Sequence, residues 1–80
     1  MNLNPISANM TEIDFGNGMQ ILFSYKTPVA VFDWRNGFRN SRYYRTSTRW
    51  SNTTQRHINK WLNGNTAEMR PQEFFNGLVK

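Results

Sequence analysis

Apolar and polar residues alternate in two blocks on either side of Gly16-Asn17-Gly18. Ile13 and Phe15 fall on one side of residues 11–15. Met19, Ile21, Phe23 and Tyr25 do the same in residues 19–26. Period-two alternation around a glycine-rich tip predicts a β-hairpin. Register selects the loop length. A two-residue loop, Asn17-Gly18, would pair Phe15 with Gln20 and send Phe15 to the face opposite Ile21 and Phe23. A three-residue loop pairs Phe15 with Met19 and Ile13 with Ile21. Every large apolar residue then shares a face, with Gly18 left-handed in a bulge, so this register is preferred.

Lys26-Thr27-Pro28 interrupts the second strand, because proline removes a ladder donor and marks a kink, a bulge or an edge. Strand resumes over residues 29–32, and residues 34–38 form a second tip around Asn36-Gly37. A two-residue turn there would set Val29 opposite Tyr44, Tyr25 opposite Thr48 and Phe23 opposite Trp50. Tyr44, Thr46, Thr48 and Trp50 then face the core. Arg39, Tyr43, Arg45 and Arg49 share the solvent side with Ser41 and Ser47.

The period changes after Trp50. Ser51, Asn52, Thr53 and Thr54 can each cap a helix start through a side-chain oxygen. Ile58, Trp61 and Leu62 follow at i, i+3 and i+4, one face of a helix that ends at Asn63-Gly64. Arg56, Asn59, Lys60 and Asn63 occupy the opposite side. About ten residues make a helix that is marginal alone and needs docking on a sheet. Residues 65–70 read as a connector. Pro71-Gln72-Glu73 opens a short second helix whose Phe74 and Leu78 cap the core with help from Phe75. Residues 1–10 read as a loosely attached arm from which Ile6 or Met10 tucks inward. The elements predict an α+β fold in a single domain, residues 1–80. It is a three-stranded antiparallel β-meander with one helix (about 53–63) packed on a face and a short C-terminal helix (about 71–77).

Charge adds a functional direction. The chain of 80 residues carries a net charge of +5. No acidic residue lies between Trp34 and Ala67, a segment holding Arg35, Arg39, Arg42, Arg45, Arg49, Arg56 and Lys60. Such a segment attracts nucleic acid or an acidic protein surface, or simply solvates a soluble face. Cysteine is absent, which excludes a disulfide-built scaffold and makes a reducing cytoplasm the expected location. The first ten residues lack a signal peptide's basic head and apolar core. No apolar run reaches the ~18 residues of a membrane span.

Catalytic chemistry finds little support. A single His without Cys builds no convincing metal centre, and no cofactor is expected. Thr53 and His57, four apart, mimic a nucleophile–base pair, but helix capping accounts for Thr53 and no carboxylate lies near in sequence. His57 is expected to bond a neighbouring loop or to touch a phosphate or base. An exposed helix start at Thr53-Thr54, flanked by Arg49 and Arg56, could hold one phosphate. Aromatic residues interleave with Arg over 34–50, so bases could stack on Trp34, Phe38 or Tyr43 while Arg39, Arg42 and Arg45 take phosphates. The alternative is that these aromatics simply pack the core.

Three stretches carry a resemblance: Phe23-Ser24-Tyr25-Lys26-Thr27-Pro28-Val29-Ala30, Tyr44-Arg45-Thr46, and residues 50–62 with the pattern S-x-T-T-x-x-H-I-N-K-W-L. Pro71-Gln72-Glu73-Phe74-Phe75 also fits. Together they cover a little over a third of the chain. They resemble a bacteriophage-type domain of unknown function, with residues 33–42 longer than that pattern. The resemblance implies a phage origin, the host cytoplasm as location, and no catalytic residues. The expected role is that of a small accessory protein that binds nucleic acid or a nucleoprotein complex through Trp34, Arg35, Arg39, Arg42, Tyr43, Arg45, Arg49, Arg56 and Lys60. An alternative is a protein-binding inhibitor of a host or defence complex, of anti-restriction or anti-CRISPR type, using hairpin 34–42. Open sheet edges would also allow a homodimer.

Overall fold

The computed structural model describes residues 2–7 and 9–79. Its sheet has six strands in sequential order, β1 (Asn2–Ser7), β2 (Met10–Asp14), β3 (Met19–Ser24), β4 (Thr27–Asp33), β5 (Arg42–Thr46) and β6 (Ala67–Arg70). Helix α1 (Asn52–Leu62) and helix α2 (Gln72–Leu78) cover opposite faces. The chain is therefore α+β as expected, but the three-stranded meander is wrong. The N-terminal arm is an edge strand, paired antiparallel with β2. The connector after α1 contains β6, paired parallel with β5. A parallel pair needs a crossover, and α1 supplies it. Of residues 1–10, Met1 and Ala8 lie outside the described residues. Met10 is fully buried, while Ile6 is 39% exposed.

The first hairpin has the anticipated register, Ile13 opposite Ile21, with the Phe15 amide donating to the Met19 carbonyl at 3.1 Å. Gly18 has φ +92°, and a Cβ there would lie 2.9 Å from Arg35 Cγ and 3.1 Å from Arg35 Cα. Gly16 also has positive φ but no neighbour within 4 Å. Gly18→Ala is therefore expected to destabilise the domain by more than about 1 kcal/mol. Gly16→Ala should lower the thermal midpoint less, and equal midpoints would refute the contact argument.

The break at Pro28 is a new hairpin. Tyr25 and Lys26 form a two-residue turn, with Ser24 opposite Thr27. Leu22 pairs with Ala30 and Phe23 with Pro28, so Val29 is the extra residue of a bulge. The next connection is longer than a two-residue turn. It contains a single 3-10 turn, Phe38–Asn40, and places Val31, not Val29, opposite Tyr44. The expected pairings of Tyr25 with Thr48 and Phe23 with Trp50 do not form, because the chain has already reversed at Tyr25.

Both sheet faces are covered, so strand alternation does not separate core from solvent. Ile13, Ile21, Val31 and Tyr44 form one row. Met19, Ile21 and Val31 on that face pack with α2's buried Phe75 and half-buried Phe74 and Leu78. Glu12, Leu22, Ala30 and Arg45 form the adjoining row on the other face. There Met10, Leu22, Val29 and Ala30 pack against Ile58 and Leu62 of α1. The expected solvent face bearing Tyr43 and Arg45 is thus the face on which α1 sits.

Among the four candidate caps, Ser51 is the N-cap of α1; its Oγ accepts from the Thr54 amide at 3.1 Å. Asn63, φ 48°, takes the left-handed C-cap position, followed by Gly64 at φ 86°. Pro71 lies one position before the first residue of α2. Gln72 locks α2 to its surroundings. Its Oε1 accepts from Thr46 Oγ1 (2.8 Å) and Trp50 Nε1 (3.1 Å). Its Nε2 donates to the Pro28 carbonyl (2.8 Å) and Asn76 Oδ1 (3.1 Å).

Candidate functional site

The nine residues selected from sequence separate into two regions. Trp34, Arg35 and Arg39 belong to the tip between β4 and β5, and Arg42, paired with Asp33, is the first residue of β5 at its base. Arg35 bonds Asp33 through Nη2 at 2.8 Å and Nε at 3.0 Å. That guanidinium holds the Asp33 carboxyl below its usual range, and Asp33 raises Arg35 in turn. The pair's stabilisation is present above about pH 4 and is lost as acid titrates Asp33 through its lowered pKa. Trp34 packs its ring 5.1 Å from that of Phe32. Arg39 and Arg42 are exposed. The side chain of Phe38 lies outside the described residues. Arg42 opens onto a cavity of about 420 Å³ shared with Ser41, Tyr43, Thr66, Ala67 and Glu68. The Glu68 carboxylate there opposes binding of an anion.

Tyr43, Arg45, Arg49, Arg56 and Lys60 gather around α1. Tyr43 is committed to packing; its ring stacks on Phe32 at 4.5 Å and meets the edge of Trp61 at 5.9 Å. Trp61 donates its indole N–H to Glu12 Oε1 at 2.8 Å, which fixes the inner flank of the helix. Arg45 reaches from the sheet to the other flank. Its Nη2 donates to Gln55 Oε1 at 3.0 Å and its Nη1 to Asn59 Oδ1 at 3.4 Å. Arg49 Nη2 lies 3.4 Å from Asn52 Oδ1 at the first turn.

The apolar stripe of α1 dictates what its outer side carries. Thr54, Ile58 and Leu62 point inward and are buried. At 100° per residue, Asn52, Thr53, Arg56, Asn59, Lys60 and Asn63 therefore point outward, and all six are exposed. None is acidic. The result is a helix face of alternating cations and amides, extended at its base by Arg49 and along one side by Arg45. Guanidinium and ammonium groups bind phosphate oxygens, and Asn amides both donate and accept. Helical spacing places Asn59 and Asn63 beside Arg56 and Lys60 already in the sequence, but Asn52, Gln55, Asn59 and Asn63 were not among the candidate site residues. Their helical spacing beside Arg56 and Lys60 is the signal that marks them.

A second feature lies where α1 begins. Ser24 Oγ is 3.0 Å from Thr54 Oγ1 and 2.8 Å from His57 Nδ1, so the end of β3 is hydrogen-bonded to the helix. His57 thus does bond a neighbouring element. The Ser24–His57 spacing is that of a nucleophile and its base, but Ser24 is only 2% exposed and already shares its hydroxyl with Thr54. Beside this cluster opens a cleft of about 230 Å³ lined by Ser24, Tyr25, Thr27, Trp50, Ser51 and Thr54. Among the described residues, no group of three or more His, Cys, Asp or Glu forms a metal site. No helix is long and apolar enough to cross a membrane among those residues.

A family model described as a family of unknown function, DUF8033, matches residues 1–77. No curated protein and no solved structure matches the chain.

Proposed function

Because the chain belongs to this family of unknown function, we propose its role from its own surface: it binds nucleic acid through the outer face of α1. One observation carries the reading. The outward side of an 11-residue helix presents Arg56, Lys60 and a series of Asn side chains with no carboxylate among them. Arg45 and Arg49, set against Gln55, Asn59 and Asn52, broaden that face. Phosphates are the ligand for spaced cations, and amides serve sugar and base edges. In this reading the protein is a small phage-type accessory factor that acts in the host cytoplasm on nucleic acid or a nucleoprotein complex.

Protein-binding inhibition through tip 34–42 has less support. Arg35 is tied to Asp33 there, and Trp34 packs on Phe32.

Fluorescence anisotropy with labelled 20-nucleotide single strands and duplexes, at low and moderate salt, tests the proposal. Binding is expected at low salt and should weaken steeply as salt rises, because each phosphate contact releases counterions. Absence of binding at low salt to every strand would overturn it.

A further inference from the structure

The cleft at the start of α1 is built differently from the basic face beside it. Tyr25 and Trp50 line it and are 52% and 50% exposed. Single exposed aromatics are ordinary on protein surfaces. Two large rings at one concave opening, each held by the backbone or a hydrogen bond, are not. Tyr25 occupies the first position of the β3–β4 turn with φ 59°, a place normally given to glycine. Its amide donates to the Asn9 carbonyl at 2.6 Å, and its ring lies 6.1 Å from the His57 imidazole. Trp50 is oriented by its indole N–H on Gln72 Oε1, and Gln72 makes three further hydrogen bonds.

The rest of the cleft is polar. Ser24 and Thr54 are buried at 2% and 4% exposure, yet both line the cavity. Ser51 and Thr27 add hydroxyls at its margin. Ser24, Thr54 and Ser51 already bond one another, and Ser24 also bonds His57, so what their oxygens keep for a ligand is acceptor capacity. The ligand that suits these walls and this floor is flat, aromatic and edged with hydrogen-bonding atoms. A nucleobase has that chemistry, whereas a phenyl side chain would offer nothing to the hydroxyls. Arg49 precedes Trp50 in the chain and lies against Asn52 in the first turn of α1, so a cation adjoins the aromatic residue that lines the cleft.

We propose that the cleft between Tyr25 and Trp50 receives an unpaired nucleobase of a single strand whose phosphates run along α1. The proposal rests on the nucleic-acid reading above and gives that surface its strand type. Stacking on such aromatics tolerates any base, so selectivity should be for unpaired over paired strands, not for sequence.

The test compares an oligothymidylate with an abasic strand of equal phosphate number, at low salt, with circular dichroism confirming the fold of each variant. Wild type is expected to bind the thymidylate strand about tenfold more tightly, the gain of stacking one base. Trp50→Ala should erase that difference and leave abasic-strand binding unchanged. Trp50→Phe should retain part of it. Tyr25→Asn removes the second ring while suiting the left-handed backbone, and should also reduce the difference. Equal affinities for the two strands in wild type would overturn the cleft proposal and leave the phosphate surface standing. So would a preference that survives both Trp50→Ala and Tyr25→Asn. Failure of both strands to bind would overturn the nucleic-acid reading and the cleft together.

Discussion

Phe75→Ala is expected to lower stability by about 3–5 kcal/mol, the usual range for emptying a buried aromatic site. Phe75 is fully buried and sits edge-on to Phe74 at 5.1 Å and 88°. It joins Met19, Ile21 and Val31 in the core beneath α2. Seven residues are too few for a helix to persist unaided, so α2 depends on this anchor. An 80-residue domain typically has about 4–12 kcal/mol in total, and the substitution removes a large fraction of it. Urea unfolding should show the midpoint falling far more than for Leu78→Ala, which truncates a half-buried side chain on the same helix. A loss below about 1 kcal/mol would show that this core repacks around the cavity.

The largest functional effect is expected from Arg56→Glu with Lys60→Glu. Both residues are exposed and stand four apart on the outer side of α1. Contacts between charged groups contribute about 1.5–3 kcal/mol each, so losing two should weaken nucleic-acid binding by at least about 100-fold. The control is Arg39→Glu with Arg42→Glu, which changes net charge by the same amount at the β4–β5 tip and its base. If net charge alone governed affinity, the two pairs would behave alike. If α1 is the contact, the tip pair should shift affinity only a few-fold through long-range screening-dependent attraction. Stability should hold in both, because none of these side chains is buried.

Several features were legible in the sequence because local rules and burial agreed. The alternation around Gly16-Asn17-Gly18 admits only one register that keeps Ile13, Phe15 and Ile21 together, and that register forms. Ile58 and Leu62 identify the inner face of α1, and Asn63-Gly64 its end. Other features depended on distant partners. β6 is only Ala-Glu-Met-Arg, which carries no strand pattern; it is a strand because α1 returns the chain beside β5. β1 contains Pro5 and alternates weakly, which suits an edge. The turn at Tyr25-Lys26 uses neither Gly nor Asn, so the chain reversal before Pro28 was hidden. The consecutive apolar residues Ile21-Leu22 and Val29-Ala30-Val31 did hold a clue. Continuous runs, unlike strict alternation, mark strands buried on both sides. Read that way, the Tyr43–Arg45 side had to be covered as well.

That second cover also explains the candidate surface. Arg45, expected on an open solvent side, supports α1 through Gln55 and Asn59. Arg56 and Lys60 kept their outward position because helical geometry alone fixes it. The basic residues of the tip and those of α1 are separate groups, and only the second is assembled with amides on a regular element. The acid-free run between residues 34 and 67 is one feature in sequence and is distributed over a tip, a strand and a helix in the structure.

The location of contact can be read directly from amide chemical shifts. In the ¹H–¹⁵N spectrum of the protein titrated with a single-stranded oligonucleotide, the largest changes should fall on backbone amides of Asn52–Leu62 and on the side-chain amides of Asn52, Asn59 and Asn63. The indole signal of Trp50 should move with them. Changes confined to residues 34–42, or spread evenly over strands far from α1, would contradict the account.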